Sequence, residues 1–269
     1  MTLLQLAVIA VVQGITEFLP ISSSAHLLLI PEVTGWTYQG LVIDLASHVG
    51  SLLAVVAYFH RDVWTATVGA ADLVRGKRTP ARRLLLLLIV ATVPIVIAGA
   101  ALVGFGGGGE LAFLRNIQVI GWTLIGFAIL LYLVDRAGMT IRRIEYMTYG
   151  QAVVIGILQI LALAPGTSRS GITMTGGRLL GFERIEAARF ASLMSIPAIL
   201  AAATPSAIAL VQSGDVAAGI DAAITVGLTF FAALVALAAM MRWLRFASFA
   251  PFVVYRLILG GIVLYWVYV

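Results

Sequence analysis

Six stretches of this chain are apolar without interruption. They cover residues 41–59, 84–103 and 117–134 in the first half, and 187–211, 219–241 and 252–269 in the second. Each approaches the ~20 residues that carry a helix across a hydrocarbon core of ~30 Å. The runs are continuous rather than alternating. That predicts helices and argues against a transmembrane barrel, whose strands alternate apolar and polar positions.

Two further apolar stretches are cut in the middle. Residues 3–19 run into Pro20 and the cluster Ser22, Ser23, Ser24, then resume over 25–30. Residues 151–164 run into Pro165, Gly166, Thr167, Ser168, Arg169 and Ser170, then resume over 172–180. Such a break predicts a re-entrant pair of short helices, tolerated at membrane depth only where protein or a wet cavity surrounds it.

Composition agrees with the pattern. The 269 residues are 61% apolar and 11% charged, with a mean hydropathy of +1.06. Soluble domains run at roughly 45–50% apolar and ~25% charged, so soluble enzymes, disordered tails and fibrous proteins are excluded. There is no cysteine, hence no disulfide, thiolate nucleophile or Cys-ligated metal. The net charge of +5 is read as basic loops beside an anionic leaflet rather than a nucleic-acid surface. No Lys or Arg precedes Arg61, so the apolar start lacks the basic flank of a signal peptide and is expected to stay.

The cations give a test of topology. Fourteen of the 17 lie in four segments, 60–83, 135–148, 178–189 and 242–251. The other connections carry Glu32, Glu110 with Arg115, and Asp215 with Asp221. The positive-inside rule puts the first set in the cytoplasm. Every crossing then agrees, provided that both broken segments return to the side they entered. Each half becomes one re-entrant pair plus three spans, and the halves have opposite topology. The expectation is an all-α polytopic membrane protein forming a single membrane domain over 1–269. Its inverted-repeat halves cover about 1–135 and 149–269, with the site near the midplane where the breaks meet. Gly106–Gly109 is read as an external turn. Segment 60–83 is read as a loop, and Trp36, Trp64, Trp122, Trp243 and Trp266 as interfacial anchors.

Ionisable groups at membrane depth cost at least ~2.5–3.5 kcal/mol each on insertion scales, so they are functional or tightly paired. In the first break Gln13 and Glu17, four residues apart, share a helix face. Ser22 or Ser23 can cap the next helix, and His26 lies one turn in. In the second break Thr167 or Ser168 caps the following helix, Gly166 and Gly171 allow close backbone approach, and Arg169 offers a planar fork suited to phosphate. A helix N-terminus with hydroxyls and an Arg suits an oxyanion. An internal Arg169–Glu17 salt bridge is the rival, and such a pair could also open to admit a ligand. Asp44 and His48 read as a local structural pair, with Ser51 on the same inner face. Gln159 reads as helix–helix glue, and Arg256 as a snorkelling residue or one facing the site. The site suits a lipid-borne phosphate. Glu17 beside it calls for a bridging divalent cation or for a base. A hydrolase and a transporter of a phosphorylated lipid fit nearly equally well.

The two breaks resemble the undecaprenyl-diphosphate phosphatase family, also known as bacitracin-resistance proteins. That family carries (Glu/Gln)-x-x-x-Glu, then Pro-x-Ser-Ser and a His, and later Pro-Gly-x-Ser-Arg-Ser-x-x-Thr. Here these are Gln13 and Glu17, Pro20 to Ser23 with His26, and Pro165 to Thr173. Weaker echoes are Gly50 to Val56, Met147 to Tyr149 and Pro251 to Arg256. The resemblance implies a phosphatase in the cell membrane that removes the terminal phosphate of undecaprenyl diphosphate. That recycles the lipid carrier for cell-wall synthesis. It also implies a divalent cation, Mg²⁺ or Ca²⁺, at Glu17, and a site opening to the outer face. Glu17, His26, Ser23 and Arg169 become the catalytic set. Gln13, Ser22, Thr167, Ser168, Ser170 and Thr173 become substrate contacts. Gln13 stands where many members have Glu, which shifts any metal-ligating burden to Glu17. The nucleophile stays open between water activated by Glu17 or His26, and direct attack by His26 or Ser23. The alternative is a transporter or flippase of a phosphorylated polyprenyl lipid, with or without the phosphatase activity. The expected partners are the lipid substrate and membrane lipids, with no nucleic acid.

Overall fold

The computed structural model describes residues 1–106, 116–138, 141–213 and 215–269. Among these the chain is helical, with eleven α-helices and no strand beyond an isolated bridge between Arg142 and Phe182. In order they are α1 (Leu3–Phe18), α2 (Ser23–Thr34), α3 (Leu41–Tyr58), α4 (His60–Val74), α5 (Pro80–Gly106) and α6 (Ile117–Ala137). The second half adds α7 (Tyr149–Ile160), α8 (Arg169–Leu179), α9 (Arg184–Ser213), α10 (Val216–Trp243) and α11 (Ala250–Tyr268). The predicted turn at Gly106–Gly109 falls, beyond Gly106, outside the described residues.

Six helices, α3, α5, α6, α9, α10 and α11, are long and apolar enough to cross a membrane. They match the six predicted runs. The chain is a multi-pass membrane protein. Large apolar side chains such as Phe231 and Val235 on α10 point outward, as expected where the solvent is lipid rather than water. The core lies between the helices, with α10 packed on α1 and α3, and α5 packed on α7 and α9, while α6 pairs with α11. Backbone approach is close in both groups. A Cβ on Gly14 of α1 would sit 2.7 Å from the Ala233 nitrogen of α10, and one on Gly156 of α7 would sit 2.5 Å from the Ala91 oxygen of α5. Small residues at such contacts are how membrane helices gain dispersion energy without a hydrophobic drive.

The broken segments start and stop for local reasons. Thr2 accepts from the Gln5 amide while the Gln5 side chain returns to the Thr2 N–H, a full capping box, and Thr148 with Gln151 repeats it on α7. Pro20 and Pro165 cannot continue a helix from the residues before them. The second helices then begin at Ser23 and Arg169, after Ser22 (φ 74°) and Ser168 (φ 70°). These are the two non-glycine residues with positive φ among the described ones. Gly35 and Gly181, both with positive φ, follow them. Thr2 and Thr148, Gln13 and Gln159, Ser22 and Ser168, and Gly35 and Gly181 are all related by one constant shift in residue number.

Two sequence expectations are corrected. Residues 60–83 are not a loop, because α4 occupies 60–74 and folds back on the start of α5. Its polar residues hid a helix that comes close to α5 at Gly69, where a Cβ would sit 2.3 Å from the Ala81 carbonyl oxygen. Arg178, counted among the loop cations, is fully buried. Its Nε donates to Asp135 Oδ1 at 2.8 Å and its Nη2 to the carbonyls of Asp135 and Gly138. Arg184 donates to the same carboxylate at 2.8 Å. The cluster ties the end of α6 to the end of α8 and the start of α9.

Candidate functional site

The two breaks meet inside the bundle. Glu17, in the last turn of α1, is 6% exposed, and three side chains converge on it. Its Oε2 accepts from Gln13 Nε2 at 2.9 Å and from Ser23 Oγ at 2.7 Å. Its Oε1 accepts from Arg169 Nη2 at 2.8 Å. The salt bridge weighed as a rival is therefore formed. It leaves two atoms over: Gln13 Oε1 and Arg169 Nη1 are buried and have no hydrogen-bond partner among the described residues. An unpaired buried polar atom carries a desolvation cost of ~1–3 kcal/mol, more when charged, so each atom has hydrogen-bonding capacity unused beside Glu17.

His48 joins this group. Its Nε2 lies 3.6 Å from Glu17 Oε2. The expected Asp44–His48 side-chain pair does not form. The Asp44 carboxylate accepts from the Tyr38 hydroxyl and from Gln39 Nε2, while His48 Nδ1 bonds the Asp44 backbone oxygen at 2.8 Å. Ser51 turns to the Ser47 carbonyl of its own helix.

The breaks are stitched together from behind by a residue whose predicted place was wrong. Arg256 neither snorkels nor lines the site; it is fully buried. It donates to the carbonyls of Pro20 (3.2 Å) in the first break and of Gly166 (2.9 Å) and Thr167 (3.1 Å) in the second, and to Leu124 of α6 (3.2 Å). A buried guanidinium with its donors spent on backbone fixes both turns. Ser170 Oγ adds a bond to the Leu19 carbonyl at 3.0 Å, and Thr123 Oγ1 one to the Pro165 carbonyl at 2.7 Å.

The two short helices differ at their starts. Ser168 caps α8 by accepting from the Gly171 amide at 3.0 Å. Ser22 makes no such cap for α2; its hydroxyl meets only Ser24 Oγ, at 3.2 Å. The amides at the start of α2 are thus without a side-chain cap, an arrangement suited to an anion. Ser24 lines a cavity of about 240 Å³ together with Tyr38, Asp44, His48 and Pro165. At ~30 Å³ per liquid water, that is room for a small anion with its hydration. Glu17 and Arg169 do not line it; His48 on its wall is the link to them.

The remaining predicted residues lie apart from Glu17. Nδ1 of His26 bonds the Ser22 carbonyl at 2.7 Å, which makes that nitrogen the donor and leaves Nε2 to accept from the Tyr255 hydroxyl at 2.6 Å. The two rings stack with centroids 5.7 Å apart. Thr173 Oγ1 returns to the Arg169 and Ser170 carbonyls of its own helix. Thr167 Oγ1 is buried and unbonded among the described residues. Gln159 is not glue either, since both its amide atoms are buried without a partner there. The residues missed were His48, misread by its spacing to Asp44, and Tyr255, whose only signal was its place in the Pro251 to Arg256 echo.

Comparison with known proteins adds what geometry alone does not. A family model described as "Bacitracin resistance protein BacA" matches residues 6–262. A protein of Roseobacter denitrificans named undecaprenyl-diphosphatase is 49% identical over 269 residues, covering 100% of both chains. A protein of the same name from Dinoroseobacter shibae is 49% identical over 265 residues, and one from Ruegeria pomeroyi is 47% identical over 265, each covering 98% of both chains.

Proposed function

The chain belongs to the bacitracin resistance protein BacA family, and from that premise we propose that it hydrolyses undecaprenyl diphosphate to undecaprenyl phosphate and inorganic phosphate. This returns the lipid carrier to cell-wall synthesis. The observation that carries the reading is the Glu17–Arg169 pair, one partner from each break, with the Arg169 Nη1 donor unspent beside an α2 start that has no side-chain cap. The relatives are named for hydrolysis, and no observation separately favours transport.

The terminal phosphate is bound by Arg169, by the α2 amides and by the hydroxyls of Ser22 and Ser24. Charge developing on its oxygens is met by donors already in place, where most catalysis of phosphoryl transfer resides. Ser23 Oγ, 2.7 Å from Glu17, has the spacing of a nucleophile and its base. As Oγ attacks the terminal phosphorus, Glu17 takes its proton. The bond to the bridging oxygen breaks, undecaprenyl phosphate leaves, and water then cleaves the phosphoserine. His26 has both ring nitrogens engaged and serves to position the α2 start. Trapping phosphate on Ser23 supports this order; one-step inversion at phosphorus would replace Ser23 with water.

A divalent cation suits these residues. The Glu17 carboxylate, the unbonded Gln13 Oε1 and the Ser23 hydroxyl are hard oxygen donors of the kind Mg²⁺ and Ca²⁺ take. No cluster of three His, Cys, Asp or Glu exists among the described residues, so Glu17, with Gln13 and Ser23 beside it, is the group that would hold the ion. A bound ion there would supply positive charge against the phosphoryl oxygens.

We read the two halves as an inverted repeat, supported by the constant shift relating Thr2, Gln13, Ser22 and Gly35 to their counterparts. It is further supported by equivalent packing of α1 on α10 and α7 on α5. At 1.5 Å per residue α1 and α2 reach about 24 and 18 Å, and α7 and α8 about 18 and 16 Å, too short to span. That favours re-entrant pairs. The cavity of the site lies toward the α3 start, away from the arginine-rich connections, which supports a site open to the outer face of the cell membrane.

The test is phosphate release from undecaprenyl diphosphate by purified protein in detergent, with Mg²⁺ or Ca²⁺ and with EDTA. Release should fall by roughly a hundredfold or more in EDTA, while thermal unfolding stays put. No release by folded, lipid-supplemented protein would sink the phosphatase reading.

A further inference from the structure

A second cavity, of about 740 Å³, opens at the opposite end of the bundle. Its walls come from α4, the turn into α5, the start of α9 and residues 144–149. Four guanidiniums line it: Arg78, Arg82, Arg83 and Arg189. Two carboxylates do, Asp62 and Glu145, and both are turned to Arg189. The other three arginines have no carboxylate partner among the described residues. Arg83 donates to the carbonyls of Glu145 (2.6 Å) and Met147 (2.7 Å), Arg82 makes one long bond to the Lys77 carbonyl (3.3 Å), and Arg78 makes none. Thr65, Thr79 and Tyr149 add hydroxyls, and one side of the wall is apolar, with Leu84, Leu86 and Leu87 rising along the first turns of α5 and Ile144 opposite.

This combination specifies a ligand. Uncompensated guanidiniums call for an oxyanion, and their forks fit phosphate oxygens. The leucines beside them continue onto a helix that runs into the membrane, so the anion's other end is apolar. The arginine-rich connections lie at this end, next to the leaflet that attracts basic segments. We propose that this cavity binds the phosphate headgroup of an anionic glycerophospholipid from the cytoplasmic leaflet, with its acyl chains along α5. A free inorganic phosphate would use the arginines and leave the leucine wall idle. The site shares no residue with the breaks around Glu17 and Arg169, so it stands or falls independently of the phosphatase reading.

The experiment is lipid retention by the full chain, read by native mass spectrometry from detergent micelles carrying phosphatidylglycerol or phosphatidylcholine. The wild type should retain phosphatidylglycerol in preference. The double variant Arg78→Ala/Arg82→Ala removes two cations that support no other element. It should bind roughly tenfold to thirtyfold more weakly, at about 1 kcal/mol per cation near an anionic surface. Arg242→Ala/Arg245→Ala removes the same charge from another exposed part of the basic end and should bind as the wild type does. The melting temperature of the Arg78/Arg82 variant should stay within about 2 °C of wild type, as for surface substitutions, which shows that it is folded. Equal retention of phosphatidylcholine, or equal loss in the Arg242/Arg245 control, would overturn the proposal. So would displacement of the phospholipid by millimolar inorganic phosphate or by a stoichiometric amount of polyprenyl phosphate.

Discussion

The two breaks are built on one plan and charged in opposite senses. Each has a capping-box helix, a proline, a serine held at positive φ and a short second helix. By the shift that superposes Ser22 on Ser168, Glu17 corresponds to Leu163 and Arg169 to Ser23. One break supplies the carboxylate and the other the guanidinium, and neither contains both. The two cradles are alike, and their differences bring two charges together: the carboxylate from one side meets the guanidinium from the other at 2.8 Å. The caps differ in the same spirit, because Ser168 spends its hydroxyl on α8 while Ser22 leaves the start of α2 open.

Removing one side of this pairing should have the largest effect. Arg169→Ala should lower kcat/KM by about 10³ or more, the scale of an arginine that meets transferring phosphate, and Glu17→Ala should do likewise. Each single change also strands a buried charge, costing about 3 kcal/mol of stability. The double variant Glu17→Ala/Arg169→Ala removes both charges together. It should regain much of the lost thermal stability and none of the activity. If activity returned with stability, the pair would be a structural tie and the chemistry would lie elsewhere.

The cap difference predicts a smaller, split response. Ser168→Ala loses a cap bond and should cost about 1 kcal/mol, roughly 2–4 °C in tryptophan-monitored melting, with activity within about threefold. Ser22→Ala loses no cap bond, so its melting should stay above that of Ser168→Ala. Its kcat/KM should fall about tenfold, the worth of one hydrogen bond to a charged phosphate. Both positions have nearly the same positive φ, so strain from alanine cancels in the comparison. Equal effects on both readouts would mean that the two helix starts are interchangeable and that the open α2 terminus holds no anion.

The same contrast shows what a sequence can reveal. Uninterrupted apolar runs placed all six long helices, because burial in lipid depends on local composition. The breaks were visible because Pro and Ser interrupt a pattern. What escaped were side chains whose partners are distant backbone. Arg256 looked like an ordinary charge near a helix end, yet its acceptors are carbonyls at Pro20, Gly166 and Thr167. No residue type announces a free carbonyl. Arg178 was counted as a loop charge for the same reason. His48 was assigned to Asp44 by spacing, a rule that holds only while the carboxylate has no better donor; Tyr38 and Gln39 supply two. Helix α4 was missed because its charges were tallied as loop.

A smaller loss than that at Ser22 should come from Tyr255, whose hydrogen bond and ring contact both go to the first break. Its hydroxyl donates to His26 Nε2 at 2.6 Å, and its ring stacks on the imidazole. Tyr255→Phe keeps the stack and removes the bond, a loss of about 1 kcal/mol, or roughly fivefold in kcat/KM. A packing residue would give the same number, so the deciding measurement is a cycle with His26→Ala. If Tyr255 acts by fixing the imidazole that anchors Ser22, its effect should vanish once His26 is gone. A fivefold loss that persists without His26 would assign Tyr255 a direct contact with substrate and would extend the first break's half of the site onto α11. The second break has no such support, because the position matching His26 is Ile172, an apolar core residue. The cycle therefore asks whether the imbalance between the breaks reaches beyond the charged pair to the groups that hold it in place.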